Sequence, residues 1–180
     1  MVLRLGRPER SDRTVPHLKI PEITPRRLVV AALVASLYAV LCLAFAPLSY
    51  GAVQVRVAEA LTLLPFLLPE AVAGLFVGCL LANLFGGMGL VDVVFGSLAT
   101  LAAALLTWKM PNKFLAALPP VVINGLVVGG YLSVLLDLPF VSTALYVAFG
   151  QAVACFGLGL PLVHLLERRL SKGLEGGTQP

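Results

Sequence analysis

Residues 50–66 read YGAVQVRVAEALTLLPF, with Arg56 and Glu59 three positions apart between two long apolar stretches. The whole chain is averse to charge. Of its 180 residues 59% are hydrophobic and only 12% are charged, and the mean hydropathy is +0.96. An ordinary globular domain has about 45–50% apolar and about 25% charged residues. A soluble fold of this length has no place to hide so much apolar surface, so lipid is the expected solvent for most of it. An arginine and a glutamate at the mouth of an apolar segment then need a specific reason.

Working outward from that stretch, six apolar segments stand out, at about 27–46, 55–68, 70–86, 90–108, 114–136 and 140–167. The second is short. As an α-helix its residues would rise only ~21 Å, less than the ~30 Å hydrocarbon core, so it must borrow length from its neighbours or lie partly inside the protein. Gly86-Gly87-Met88-Gly89 reads as a turn. Residues 47–56 read as the first outer loop, and the alternation of Val53, Val55 and Val57 with Gln54 and Arg56 suggests an extended lid over the bundle. Pro119-Pro120 and Pro161 are expected to bend the fifth and sixth helices.

The basic residues give an orientation. Arg4, Arg7, Arg10, Arg13, Lys19, Arg26 and Arg27 precede or open the first segment, Lys109 and Lys113 share one loop, and Arg168, Arg169 and Lys172 follow the last segment. Arg56 alone falls on the opposite side. By the positive-inside rule both termini are cytoplasmic. The expected fold class is therefore an all-α membrane protein, a six-transmembrane-helix bundle over residues 27–167, with basic tails at 1–26 and 168–180. A targeting signal ending at Ala44-Phe45-Ala46 is a rival reading of the first segment, and it would leave five apolar segments.

Other features exclude function classes. There is no G-x-x-x-x-G-K-[ST] phosphate loop, no nucleophile–base pairing and no internal repeat. Cys42, Cys79 and Cys155 each lie inside an apolar segment without metal-ligand spacing, and His17 and His164 have no metal partner. An enzyme and a nucleic-acid binder are both disfavoured. A substrate-binding membrane subunit that draws its energy from partners fits best.

The polar residues inside the apolar segments form a small set. Charged side chains in a bilayer cost ~2.5–3.5 kcal/mol at mid-helix on insertion scales, so they are usually paired or functional. Arg56, Glu59, Asn83 and Asp92 are expected in the outer half, with Asn124 and Gln151 forming a floor. Such convergence suggests a ligand pocket opening outward. Tyr131, seven residues after Asn124, and Phe95 offer aromatic faces. Each polar residue also has a plain structural role open to it. Arg56 and Glu59 could pair as helical i, i+3 neighbours, Asp92 could cap a helix, and Asn83, Asn124 and Gln151 could bond between helices.

Small residues recur every four positions in three helices: Ala31, Ala35 and Ala39; Gly74, Gly78 and Ala82; Gly125 and Gly129. Such rows let backbones approach closely. Internal packing is the expected use for the second and third rows. The alanine row is open between internal packing and a smooth outer face for another membrane protein.

Three blocks carry a family resemblance: Gly51 to Pro65 (GAVQVRVAEALTLLP), Gly74 to Asn83 (GLFVGCLLAN) and Gly89 to Thr100 (GLVDVVFGSLAT). They resemble the QueT family, substrate-binding S-components of energy-coupling factor (ECF) transporters assigned to queuosine precursors. The likeness spans roughly residues 27–167. It implies a six-helix S-component that holds its substrate near the outer face and works with a transmembrane coupling protein and two ATPase subunits. It implies that ATP is used by those partners, with no cofactor on this chain. It also implies that the Ala31, Ala35, Ala39 row docks the coupling protein, and that the loaded subunit topples in the membrane. The substrate would be a 7-deazaguanine such as preQ1 or queuine. The alternatives are an S-component for another vitamin or a purine, and a stand-alone proton- or ion-coupled carrier.

The chemistry is compatible with that resemblance. A 7-deazaguanine presents two N–H donors on one edge, which a carboxylate accepts. Glu59 is the first candidate and Asp92 the second, with Arg56 orienting Glu59. Asn124, Asn83 and Gln151 would serve the remaining polar atoms, and Tyr131 or Phe95 would stack on the ring.

Overall fold

The computed structural model of the chain describes residues 24–49 and 56–175, with side chains as far as Ser171. All the regular elements of the described residues are helical, and there is no strand among them. In order they form α1 (Pro25–Ala44), the short α2 (Ala46–Ser49), a 3₁₀ helix (Val57–Phe66), α3 (Ala71–Gly86), a π segment (Asp92–Gly96) leading into α4 (Ser97–Trp108), the short α5 (Lys113–Ala116), α6 (Leu118–Leu135), α7 (Phe140–Ala152), a second π segment (Val153–Gly159) and α8 (Leu160–Glu175). Most of the basic N-terminal tail, residues 50–55 of the expected lid, and residues 176–180 lie outside the described residues.

Three helical runs are long and apolar enough to cross a membrane: Pro25–Ala44, Lys113–Leu135 and Phe140–Ser171. Three apolar helices are shorter: Val57–Phe66, Ala71–Gly86 and Asp92–Trp108. Leucine, valine and phenylalanine side chains stand exposed along the outer faces, among them Leu33, Leu37, Val40, Phe85, Val134, Leu145 and Phe149. That is the surface a bilayer accepts and water does not.

The short second segment has the most unusual place. Ala58 through Pro65 are all buried, so this helix is enclosed by protein except at its two half-buried end residues, Val57 and Phe66. Its 3₁₀ winding gives ~2.0 Å per residue against 1.5 Å for an α-helix. Ten residues therefore reach ~20 Å, further than an α-helix of that length. Pro65 sits in its last turn. The Thr62 hydroxyl donates to the Glu59 carbonyl at 2.6 Å, serving backbone that the tight winding holds in the interior.

Close backbone contacts make room around this central helix. A Cβ on Gly74 would lie 2.5 Å from the Ala31 carbonyl oxygen, and one on Gly78 would lie 2.7 Å from that of Ala35. The glycine row of α3 therefore packs directly on the alanine row of α1. The second such contact joins α6 to α7, where a Cβ on Gly129 would lie 2.5 Å from the Ala144 Cα. Gly159 closes the third side, its missing Cβ 3.0 Å from the Ala60 carbonyl oxygen of the 3₁₀ helix. Small residues thus do the internal packing expected for two of the rows.

Several local expectations are met and others are corrected. Gly87 and Gly89 take positive φ, 78° and 89°, as the turn after α3 requires. Pro119 and Pro120 do not interrupt a helix. They lie in the first turn of α6, where the missing N–H groups have no helical partner to lose, and the chain breaks earlier, between α5 and α6. Residues 46–49 form a helical turn where an extended loop is expected. The last helix runs on to Glu175, past the expected end at 167. Pro161 is the second residue of α8, two positions after the second π segment, so the irregular winding sits just before the turn where proline removes a backbone donor.

Gly78→Leu should lower the thermal midpoint of the purified protein, at a cost of about 1–3 kcal/mol for overpacking at a backbone contact. Gly157→Ala, where a Cβ meets nothing within 4 Å, should leave the midpoint unchanged or slightly raised. Equal behaviour of the two variants in a detergent melt would rule out the close α1–α3 contact.

Candidate functional site

Arg56 precedes the 3₁₀ helix in an extended conformation, φ −85° and ψ 106°. Its side chain therefore leaves the helix axis. Nε donates to the Ser49 carbonyl at 3.2 Å. Nη2 lies 3.5 Å from Asp92 Oδ2, and both side chains are buried. This ion pair joins the start of the 3₁₀ helix to the first π segment.

Glu59, one turn on, takes a different partner. Its Oε1 accepts from the Tyr38 hydroxyl of α1 at 2.5 Å. The residue is 1% exposed. Its second oxygen, Oε2, has no hydrogen-bond partner among the described residues. Asn124 Oδ1, buried on α6, is likewise unpartnered. Lone buried acceptors are costly, about 1–3 kcal/mol each, and are rarely left so without a use.

Both groups border one cavity. Arg56, Glu59, Thr100, Asn124 and Gln151 supply its polar wall, and Gly96, Val128 and Val147 complete it. Four structural elements beyond the 3₁₀ helix contribute: the first π segment, α4, α6 and α7. The cavity is small, about 10 Å³. That holds about one water molecule, whereas drug-sized ligands occupy pockets of about 300–1,000 Å³. A bicyclic ligand would enter only if these walls part.

Beside the cavity lies a second polar group of residues. The Tyr131 hydroxyl donates to Asp92 Oδ1. Asn83 Nδ2 donates to the Asp92 carbonyl at 3.0 Å, and Thr100 Oγ1 donates to the Gly96 carbonyl at 3.1 Å. Side chains thus bond to the irregular π backbone. Gly96 is needed here, because a Cβ would lie 2.8 Å from Asn83 Nδ2 and 3.0 Å from Asp92 Oδ1.

Of the residues the sequence singles out, Arg56, Glu59, Asn124 and Gln151 meet at the cavity. Asp92, Asn83 and Tyr131 stand behind it and connect through Arg56. Phe95 does not line the cavity. It is 54% exposed on the outer face, because Asp92 and Gly96 on either side take the inward positions of the π segment. In the alanine row, Ala35 is buried against α3, and Ala31 and Ala39 are half-buried. Tyr38, Thr100 and Gly96 were missed. Tyr38 carried a usable signal: a tyrosine in the middle of a spanning helix needs an acceptor for its hydroxyl.

A helical bundle with an apolar outer face and a closed cavity walled by charged and amide groups defines a class. It is a multi-pass membrane protein with a polar cavity inside its helical bundle. The comparisons with known proteins agree: a family model for QueT transporters matches residues 28–168, and the chain belongs to that family. It is similar to the queuosine precursor transporter QueT of Lactococcus lactis subsp. cremoris (strain MG1363), with 36% identity over 89 residues, 48% of this chain and 52% of that protein. The chain thus spans about half the length of that curated relative. No solved structure matches it.

Arg56→Gln or Asp92→Asn alone should each destabilise the protein, by about 3–5 kcal/mol, because each leaves a buried charge uncompensated. The double variant should lose clearly less than the sum. Additive losses in a double-mutant cycle of thermal melts would show that the two groups do not interact.

Proposed function

We propose that this chain is the substrate-binding subunit of an ECF-type importer that captures a 7-deazaguanine queuosine precursor from outside the cell. The observation that carries this reading is the pair of unpartnered acceptors, Glu59 Oε2 and Asn124 Oδ1, on one cavity of a QueT-family chain. A guanine-like base offers several N–H donors at fixed angles, and two such acceptors suit it. Arg56 is engaged with Asp92, so its role is to hold the entrance wall and set the field around Glu59. Tyr38 positions Glu59 from the far side, leaving Oε2 turned to the ligand. Gln151 and Thr100 serve further polar atoms.

In this reading the helical runs make six spans with both termini cytoplasmic, supported by the basic residues that flank them. The chain carries no phosphate loop, so a membrane coupling protein and two ATPase subunits supply the energy. The coupling protein docks along α1, at the edge where Ala31 and Ala39 are half-exposed, while Ala35 seats α1 on α3. Loading is followed by toppling of the subunit, and ATP hydrolysis by the partners resets it.

The purified protein should be stabilised against heat by at least one 7-deazaguanine, and not by unrelated vitamins. Glu59→Gln should weaken that binding by more than about tenfold, the loss of one charge-assisted hydrogen bond. Absence of a thermal shift with every deazaguanine tested would sink the reading. Co-purification with an ATPase pair would separate it from a stand-alone carrier.

A further inference from the structure

One wall of the cavity is fastened unequally at its two ends. It is the α6–α7 hairpin, which supplies Asn124, Val128, Val147 and Gln151. The two helices form one body, because a Cβ on Gly125 would lie 3.0 Å from that of Ala148 and one on Gly129 only 2.5 Å from the Ala144 Cα. The end where α6 starts is well tied. Thr107 Oγ1 of α4 donates to the Ala116 carbonyl at 2.9 Å, and Lys113 of α5 pairs with Glu167 of α8 at 2.8 Å. The winding is irregular on both strands at this end: α5 and α6 break at Ala117, and α7 gives way to the second π segment. These two irregular places lie side by side, since Ala117 and Cys155 share one packed cluster. Paired irregular turns of this kind are where a hinge absorbs backbone change.

The far end of the hairpin is held lightly. Tyr131 of α6 donates to Asp92 Oδ1, and Met88 packs on the cluster of Val128, Leu132 and Val147. Met88 stands between Gly87 and Gly89, where an added Cβ would meet nothing within 4 Å, so this plug is an adaptable side chain on an open turn. Loss of the tyrosine bond does not strand Asp92, whose other oxygen keeps the Arg56 guanidinium at 3.5 Å. We propose that the α6–α7 hairpin is the gate of this cavity: it swings as one body about Ala117 and the second π segment when Tyr131 releases Asp92 and Met88 leaves the gap. This rests on reading the cavity as the substrate site, and it accounts for its size. The space is about 10 Å³ when shut, and it becomes ligand-sized only when the far end of the hairpin moves out. Opening is toward the end that carries Arg56 and Asp92, so the hinge end stays closed.

The test uses the full-length protein in nanodiscs with Val128→Cys as a reporter. A maleimide, followed site by site by mass spectrometry, should label position 128 slowly, because Val128 is buried on the cavity wall. Adding Tyr131→Phe should speed that labelling at least about tenfold, by raising the share of open molecules. Cys42, buried in the core between α1 and α3, should keep its rate. Spin labels at Leu84→Cys and Val141→Cys, exposed at the swinging end, should then show a second, longer distance. Labels at Phe114→Cys and Leu165→Cys, exposed near the hinge, should keep a single one. Met88→Ala should act in the same direction as Tyr131→Phe, and it decides the matter if Tyr131→Phe does not fold. Unchanged labelling at position 128 would overturn the gate. A parallel rise at Cys42 would also overturn it, because the whole bundle has then loosened. An unchanged distance at the swinging end would show that another wall moves. Neither measurement uses a ligand, so failure here leaves the substrate reading standing, and failure of deazaguanines to bind leaves the gate standing.

Discussion

A helix buried on every side is the constraint from which the rest of this structure follows. The Val57–Phe66 segment has no lipid-facing stripe, so each neighbour must come close enough to cover it. Cover of that kind needs small residues. Gly74 and Gly78 draw α3 onto α1, Gly125 and Gly129 draw α6 onto α7, and Gly159 lets the second π segment lie against the Ala60 carbonyl. The apolar bulk is then pushed outward, which explains why so many leucines and valines are exposed in a bundle with a well-filled centre. The 3₁₀ winding fits this position. It lengthens ten residues toward the reach of a longer helix, and it is tolerable because Thr62 and the surrounding protein serve its backbone.

That central helix also carries the chemistry. Placing Glu59 at the core brings a carboxylate where water does not reach, and the surroundings are arranged to hold it. Tyr38 fixes one oxygen from α1. Arg56 anchors the start of the helix to Asp92, and Asp92 is held in turn by Tyr131 and, through its carbonyl, by Asn83. The result is a network that spans α1, the 3₁₀ helix, α3, the first π segment and α6. Fully satisfied polar networks rigidify a core, and a partly satisfied one is costly. Here the unsatisfied atoms on the cavity wall, Glu59 Oε2 and Asn124 Oδ1, are both acceptors. The site is therefore incomplete in one chemical direction, toward a donor.

Each of the two π segments places a glycine at a close contact. Asp92–Gly96 places Asp92 and Gly96 inward together, and Gly96 leaves the space that Asn83, Asp92 and Tyr131 share. Val153–Gly159 precedes Pro161 and presents Gly159 to the central helix. Irregular winding within a bundle is stable only where protein lines it, and such bulges often mark functional positions.

Much of this was legible without coordinates. Composition and the spacing of apolar runs fix a helical membrane protein, because no soluble fold of this length buries so much apolar surface. Lipid also makes every polar residue expensive, so the short list of Arg56, Glu59, Asn83, Asp92, Asn124 and Gln151 was readable as a set, and the motif blocks pointed to the QueT family. Partnership was not readable. Arg56 and Glu59 are three residues apart, but Arg56 reaches Asp92, 36 positions away, and Glu59 reaches Tyr38, 21 positions away. Spacing within a segment predicts contacts only if the segment is a regular helix, and Arg56 stands in extended backbone before a 3₁₀ turn. Helix rotation was equally hidden, which is why Phe95 turns out to face outward. The sequence determined which side chains lipid would not tolerate alone. Tertiary packing decided which of them met, because the rotation and approach of each helix are set by the small residues it packs on, far away in the chain.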